Sequence, residues 1–169
     1  SGPTLANGVA RSTERKIQDV FAKRGVRVIT EKRVTIENDQ TLEFSDGSSE
    51  PFDVALWSTG AVAPGLLENV PLEKDDRGFL FTRPTLQTTR CDSVFAVGDS
   101  GTIQDQATPK AGVFAVRQGP VLWNNIQNAL ANLPLEEYRP QRDFLKLLNT
   151  GDRKGIVEYK GFSFLSRLA

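Results

Sequence analysis

Hydrophobic positions along the chain change period several times, and each change marks an element. Ile17, Val20 and Phe21 recur at three- to four-residue spacing, which puts apolar groups on one face of a helix. Ser12 or Thr13 can cap its start, because a hydroxyl accepts from backbone N–H groups that the first turn leaves unbonded, and Gly25 ends it. The apolar run at 26–29 predicts a short strand. Helix, glycine and strand then form half of a βαβ unit. From Val34 the period drops to two. Val34, Ile36, Leu42 and Phe44 alternate with polar residues around turns at Asn38-Asp39-Gln40 and Asp46-Gly47, which predicts a β-meander. At 52–57 the apolar residues Val54, Ala55 and Leu56 are continuous, as in a strand buried on both faces, and they run into Ser58-Thr59-Gly60.

The second half reads differently. Residues 61–78 carry Pro64, Pro71 and Gly78 and read as loop, with weak strands at 79–81 and Leu86. Residues 94–97 predict a short, strong strand ending at Gly98-Asp99. After a polar loop, Pro109 opens a long helix through Ala131, since proline's missing N–H would have no partner in a first turn. Val113, Val116, Val121, Leu122, Ile126 and Leu130 offer its apolar stripe, and Gly119-Pro120 should bend or interrupt it. Residues 132–142, with two prolines, read as a linker. A hairpin follows, built from 144–148, a turn at Gly151-Asp152, and 156–159, with Phe162, Phe164 and Leu165 after it. The order predicts an α/β fold class with a β-meander and a C-terminal β-hairpin.

Composition narrows the function classes. Lys plus Arg and Asp plus Glu both number 21, so the formal net charge is zero, without the basic excess of a nucleic-acid protein. No apolar run approaches a membrane span, and no secretory signal opens the chain. One cysteine, Cys91, cannot form an internal disulfide and fits an intracellular reducing compartment. With no histidine, a His- or Cys-ligated metal site is not expected, and a serine–histidine or cysteine–histidine nucleophile is excluded within the chain. The chain has no methionine and begins Ser1-Gly2-Pro3, so it reads as a piece of a longer polypeptide.

The most specific signal is Asp92-Ser93-Val94-Phe95-Ala96-Val97-Gly98-Asp99. A strand that delivers Gly98 and Asp99 to its carboxyl end places them where open α/β sheets bind ligands. Gly98 admits a close backbone approach, and Asp99 offers a carboxylate to the hydroxyls of a ribitol or ribose chain. The helix after Pro109 points the positive end of its dipole toward negative charge. A Gly-Asp pair before a loop is also an ordinary turn. Trp57 and Trp123 read as packing residues. Cys91 has no partner thiol, and Arg139, Arg142 and Arg153 read as surface charge.

Ser58-Thr59-Gly60, Leu86-Gln87-Thr88-Thr89, Val94-Phe95-Ala96-Val97-Gly98-Asp99, Pro109 and Gln118-Gly119 occur in the order of the pyridine nucleotide–disulfide oxidoreductase family. The chain resembles that family over nearly its whole length, and more narrowly its type II NADH dehydrogenase-like members. Arg117-Gln118-Gly119-Pro120 and the tail from Tyr138 through Asp152 resemble most closely the oxidoreductase domain fused to selenide, water dikinase in some organisms. The resemblance implies part of a flavoprotein architecture with two dinucleotide-binding domains, one for FAD and one for NAD(P)H. On that plan residues 1–57 correspond to the later half of the NAD(P)H-binding domain. Residues 58–131 correspond to the closing part of the FAD-binding domain, and 132–169 to the start of the C-terminal segment.

The implied cofactors are FAD and NAD(P)H. The implied activity is electron transfer from NAD(P)H through flavin to a quinone or another small-molecule acceptor. The implied cofactor-binding residues are Thr59, Gly60, Gly98, Asp99, Pro109, Lys110 and Ala111, with no catalytic side chain nominated. Gln118 corresponds to the quinone-side region of type II NADH dehydrogenases, although the motif around it departs from theirs. The chain contains no GxGxxG loop, so both phosphate cradles of such a protein are expected upstream and the chain by itself is expected to be inactive. The alternative is a non-catalytic interaction or oligomerisation module built from the same fold. Exposed sheet edges would then lead it to a homo-oligomer or a domain swap.

Overall fold

A computed structural model describes residues 2–6, 8–38 and 40–167 and shows, among them, two α-helices and eight strands besides short 3-10 turns. In chain order they are α1 (Arg11–Lys23), β1 (Val34–Asn38), β2 (Thr41–Phe44), β3 (Ser49–Pro51), β4 (Leu80–Thr82), β5 (Gly101–Ile103), α2 (Gly112–Leu130), β6 (Lys146–Asn149), β7 (Lys154–Tyr159) and β8 (Phe162–Arg167). Asp39 of the expected 38–40 turn and the side chain of Ile36 lie outside the described residues, as do Ser1, Asn7, Leu168 and Ala169. The chain divides into two units, Ser1–Trp57 with Asp143–Ala169, and Ser58–Arg142.

In the first unit, α1 ends as the glycine predicts. Gly25 takes φ 68°, its N–H bonds Ala22 O at 3.1 Å, and the Val26 N–H reaches back to Phe21 O at 3.0 Å. The start of α1 corrects the sequence reading. The cap residue is Ala10, which has no side chain to offer, and Thr13 lies inside the first turn. A carboxylate from β7 takes the capping role instead. Glu158 accepts the Ala10 N–H at 2.9 Å and the Thr13 hydroxyl, and it pairs with Lys146 at 2.7 Å.

Strands β1-β2-β3 form an antiparallel meander with a bulge between Val34 and Ile36. Gly47, at φ 81°, makes the β2–β3 turn. Strands β6-β7-β8 form a second antiparallel sheet. Lys16 of α1 bonds Ser163 of β8 at 3.0 Å.

Two expected strands do not form here. Residues 26–29 and 52–57 are irregular, and Val54 and Leu56 are 75% and 91% exposed. A strand needs a neighbour for its N–H and C=O groups. Neither segment lies in any of the three sheets among the described residues, so the apolar run has no ladder to join. Trp57 and Trp123, read as packing residues, are both exposed.

In the second unit, β4 and β5 pair in parallel, Leu80 to Gly101 through Thr82 to Ile103. The expected strand at 94–97 reduces to a single bridge between Phe95 and Gln87. It is flanked by Ala96 N–H to Leu86 O at 3.0 Å and Thr88 N–H to Val94 O at 2.8 Å. The cause sits opposite. Leu86 is fully buried at φ 69°, a left-handed backbone that breaks a strand. One cluster gathers Leu67, Leu80 and Ala96. A second gathers Leu86, Ile103 and Tyr138 with Val121 and Leu122 of α2.

Helix α2 starts at Gly112, three residues after Pro109, and continues through Gly119-Pro120 without a break. Pro120 cannot donate to the Val116 carbonyl, but both residues are exposed and water can take that bond. The buried face is also not the one read from apolar residues. Val116 and Leu130 are exposed, whereas Phe114, Gln118 and Asn125 are buried. Polar side chains occupy that face because each meets backbone groups. Asn125 donates to Thr85 O and Glu136 O, each at 2.9 Å, and accepts the Glu136 N–H at 2.8 Å. Residues 132–142 are consequently a packed strap, with Tyr138 buried and its N–H on Pro84 O at 2.9 Å, and not an open linker.

Candidate functional site

The sequence signal around Gly98 lands on a tight turn. Gly98–Ser100 form one turn of 3-10 helix between the Phe95 bridge and β5. Ser100 closes it, its hydroxyl donating to Val97 O at 2.8 Å and accepting the Val97 N–H at 3.2 Å. Gly98 takes φ 56°, a conformation that costs any residue with a Cβ. A Cβ there would also sit 2.9 Å from the Cβ of Ala115. Glycine is thus required twice, for the backbone angle and for the approach of α2.

The turn is tied to α2 and to the segment before it at both ends of its backbone. The Gly98 N–H donates to Gln118 Oε1 at 2.7 Å. The Lys110 ammonium donates to Gly98 O at 3.3 Å, to Gly101 O, and to Thr102 Oγ1 at 3.2 Å. It also lies 4.1 Å from the centroid of the Phe79 ring, close enough for a cation–π contact. Thr102 in turn donates to Asp75 Oδ2 at 2.8 Å, and Asp75 Oδ1 accepts the N–H groups of Arg77 and Phe79 at 2.9 and 3.0 Å.

These contacts shift both charged groups. Burial pushes the Lys110 pKa down more than the neighbouring Asp75 and Asp99 carboxylates raise it, and Arg77 lowers it further, so it lies below the ordinary lysine value. Burial raises Asp75, but the Thr102 hydroxyl, the two backbone N–H groups and the Lys110 charge outweigh that and hold it below the usual carboxylate range.

Gly98, Asp99, Pro109, Lys110 and Ala111 line one small recess, together with Gly101, Ile103, Thr108, Phe114 and Gln118. Asp99 is exposed at its edge and makes no hydrogen bond or ion pair to another described residue. Ala111 is the cap residue of α2 and supplies no side-chain bond to the helix start. Thr59 and Gly60 do not line the recess. They are exposed and precede Ala61, whose carbonyl accepts from Arg77. Arg77 also lies 5.1 Å from the centroid of the Phe79 ring.

Sequence reasoning missed Asp75, Phe79 and Thr102. A signal existed for the first two, since Asp75-Asp76-Arg77-Gly78 has the composition of a turn that an aspartate side chain closes. A larger concavity of about 860 Å³ shares no residue with the recess. It is lined by Phe95, Leu122, Ile126, Leu130 and Leu133, with Gln87, Asp92, Ser93 and Asn132 at its polar part. Among the described residues no group of three or more His, Cys, Asp or Glu could hold a metal ion, and no helix is long and apolar enough to cross a membrane.

The recess is small, about 10 Å³, room for about one water molecule, and Asp99 stands at its edge. The turn presents one carboxylate without a hydrogen bond, beside the Lys110 charge, and its glycine admits the close approach of Ala115 in α2. Residues 1–124 match the family described as pyridine nucleotide-disulphide oxidoreductase. The chain belongs to this family. Its flavoprotein members use FAD and NAD(P)H, and the fold is accordingly of the α/β kind.

Among curated relatives, the chain is 31% identical over 142 residues to demethylphylloquinone reductase NdbB of Synechocystis, covering 79% of this chain and 35% of the relative. It is 24% identical to the type II NADH:quinone oxidoreductase of Haemophilus influenzae, over 82% of this chain and 32% of the relative. The chain therefore spans about a third of the length of these relatives. Among solved structures, the sulfide:quinone oxidoreductase of Aquifex aeolicus superposes with a TM-score of 0.77 at 15% identity, covering 98% of this chain and 44% of that one. A putidaredoxin reductase–putidaredoxin complex gives a TM-score of 0.63 at 16% identity, over 94% and 39%. Both are likenesses of fold.

Proposed function

We propose that this chain is the part of an FAD-dependent NAD(P)H oxidoreductase that holds the sugar-alcohol end of the flavin. The intact protein passes electrons from NAD(P)H to a quinone or another small acceptor. One observation carries the reading: the turn at Gly98-Asp99 is locked from behind and leaves a single carboxylate facing outward. Asp99, exposed at the edge of the recess, accepts from ribitol hydroxyls. The start of α2 at Ala111 and Gly112 adds the positive end of a helix dipole on the same recess. Lys110 contributes through the turn, because its donors are engaged with Gly98, Gly101 and Thr102. When bound, FAD supplies the hydride and electron chemistry, and the protein supplies placement and electrostatics.

The quinone is supported by the names of the two curated relatives, and the NAD(P)H-side assignment of residues 1–57 rests on the family plan. The finer placement beside the selenide, water dikinase-associated oxidoreductase domain rests on the tail from Tyr138 to Asp152. On this reading the 169-residue chain, with no GxGxxG loop of its own, oxidises no NAD(P)H unaided.

The test is Asp99→Ala in the intact protein. Flavin-to-protein ratio should fall while the apoprotein melting curve stays in place, and an unchanged ratio removes Asp99 from the site. A second reading, a non-catalytic interaction or self-associating module, is favoured by the exposed apolar run at Val54 and Leu56. Intact protein that purifies colourless and takes up no FAD would select it.

A further inference from the structure

We propose that Gln118 is a positioning residue for the flavin site, one that fixes the backbone turn carrying Asp99 by holding the preceding glycine. The inference rests on the functional reading above.

Gln118 stands where α2 would ordinarily carry an apolar side chain. It shares the buried stripe with Phe114 and Asn125, at helical spacings of four and seven, and is only 5% exposed. A primary amide is costly to bury unless it is bonded, so its partner explains its presence. Asn125 spends its three bonds on Thr85 and Glu136, which hold the 132–142 strap. Gln118 directs its oxygen to the Gly98 N–H instead. That N–H belongs to the residue immediately before Asp99, on a backbone already held at φ 56° with Ala115 close behind.

Lys110 holds the carbonyls of Gly98 and Gly101 at the other end of the turn. Three constraints fall on Gly98 and none on the Asp99 side chain. The turn is a rigid mount, and the carboxylate is the one polar side chain it leaves outward. Without the Gln118 oxygen the Gly98 N–H loses its acceptor, and the backbone that carries Asp99 is no longer held at that end. A bound ribitol chain must then order the turn itself, which weakens affinity.

FAD dissociation constants of the intact protein test this, measured by titrating FAD into the apoprotein for Gln118→Met, Asp99→Asn and the double variant Asp99→Asn with Gln118→Met. Gln118→Met matches the shape but lacks the acceptor and should weaken FAD about tenfold, the scale of one orphaned buried donor. The double variant should bind no more weakly than Asp99→Asn, because residues acting through one contact are not additive.

A wild-type Kd in Gln118→Met beside a weakened Asp99→Asn overturns the positioning role and leaves the functional reading standing. Full multiplication of the two losses in the double variant also overturns it. An unchanged Kd in Asp99→Asn removes the functional reading, and the positioning role with it. If Gln118→Met does not fold, Lys110→Met unties the other end of the turn and carries the same comparison with Asp99→Asn, with multiplication again the overturning result.

Discussion

Replacing Glu158 should show how far a single carboxylate organises the unit built from residues 1–57 and 143–169. Its side chain is only 4% exposed and serves three donors from two elements: the Ala10 N–H at 2.9 Å, the Thr13 hydroxyl, and Lys146 Nζ at 2.7 Å. In Glu158→Ala the Thr13 hydroxyl is left fully buried and unbonded, and the Ala10 N–H partly so. Each orphaned buried donor costs about 1–3 kcal/mol. Lys146 keeps the Gly8 carbonyl and is exposed enough to turn toward water, so it adds little. The total is about 3 kcal/mol, a large share of the roughly 5–15 kcal/mol that separates a folded domain from its unfolded state.

The pH dependence gives an independent reading of the same contact. Burial raises the Glu158 pKa, but the bonds from Lys146, Thr13 and the Ala10 N–H outweigh it, so the folded value lies below the ordinary one. A depressed carboxylate pKa contributes stability that is complete above the unfolded value, about 4.3. That contribution is lost as pH falls through the folded value. Urea unfolding followed by far-UV circular dichroism should therefore show a steeper acid loss in the wild type than in Glu158→Gln, with the two curves converging at low pH. Hydrogen exchange should quicken in residues 10–23 of Glu158→Ala. A cost below about 0.5 kcal/mol for the alanine variant, or equal acid slopes for wild type and glutamine variant, would refute the reasoning.

Two further substitutions probe the second unit. Gly98→Ala forces a Cβ to 2.9 Å from the Ala115 Cβ at positive φ, which should cost about 2–3 kcal/mol; thermal unfolding measures it, and an unchanged melting temperature would show that α2 can retreat. Asn125→Ala removes three hydrogen bonds at a site with no exposure and should cost about 3 kcal/mol. Limited proteolysis should then cut within 132–142, and a strap that stays resistant would mean that Tyr138 and the Asn128 bond to Pro134 O hold it without Asn125.

What could be read from the sequence depended on whether a local rule was sufficient. The glycine end of α1 and the turns at Gly47 and Gly98 are local, set by a residue's own backbone freedom, and they stand where the sequence places them. The cap of α1 was misread at Ser12 and Thr13, because its acceptor, Glu158, is 148 residues from Ala10. The segments at 26–29 and 52–57 have strand composition but no described neighbour, and composition cannot supply a hydrogen-bond partner. Residues 94–97 were judged by their own apolar character, when Leu86 opposite them controls the pairing.

Helix α2 shows why the site was half legible. Counting apolar residues selected a face containing Val116 and Leu130, both of which lie in solvent. The face that is buried carries Gln118 and Asn125, and hydrophobicity discards both. Yet a polar residue is buried in a helix stripe only when something repays its desolvation, so each marks a backbone group that must be held. Gln118 holds the turn that presents Asp99, and Asn125, two turns further along, holds the strap that closes the core around Leu86, Ile103 and Tyr138. One helix face thus fixes both the position of the site and the packing beneath it. A change that shifts α2 along its axis must therefore disturb both together.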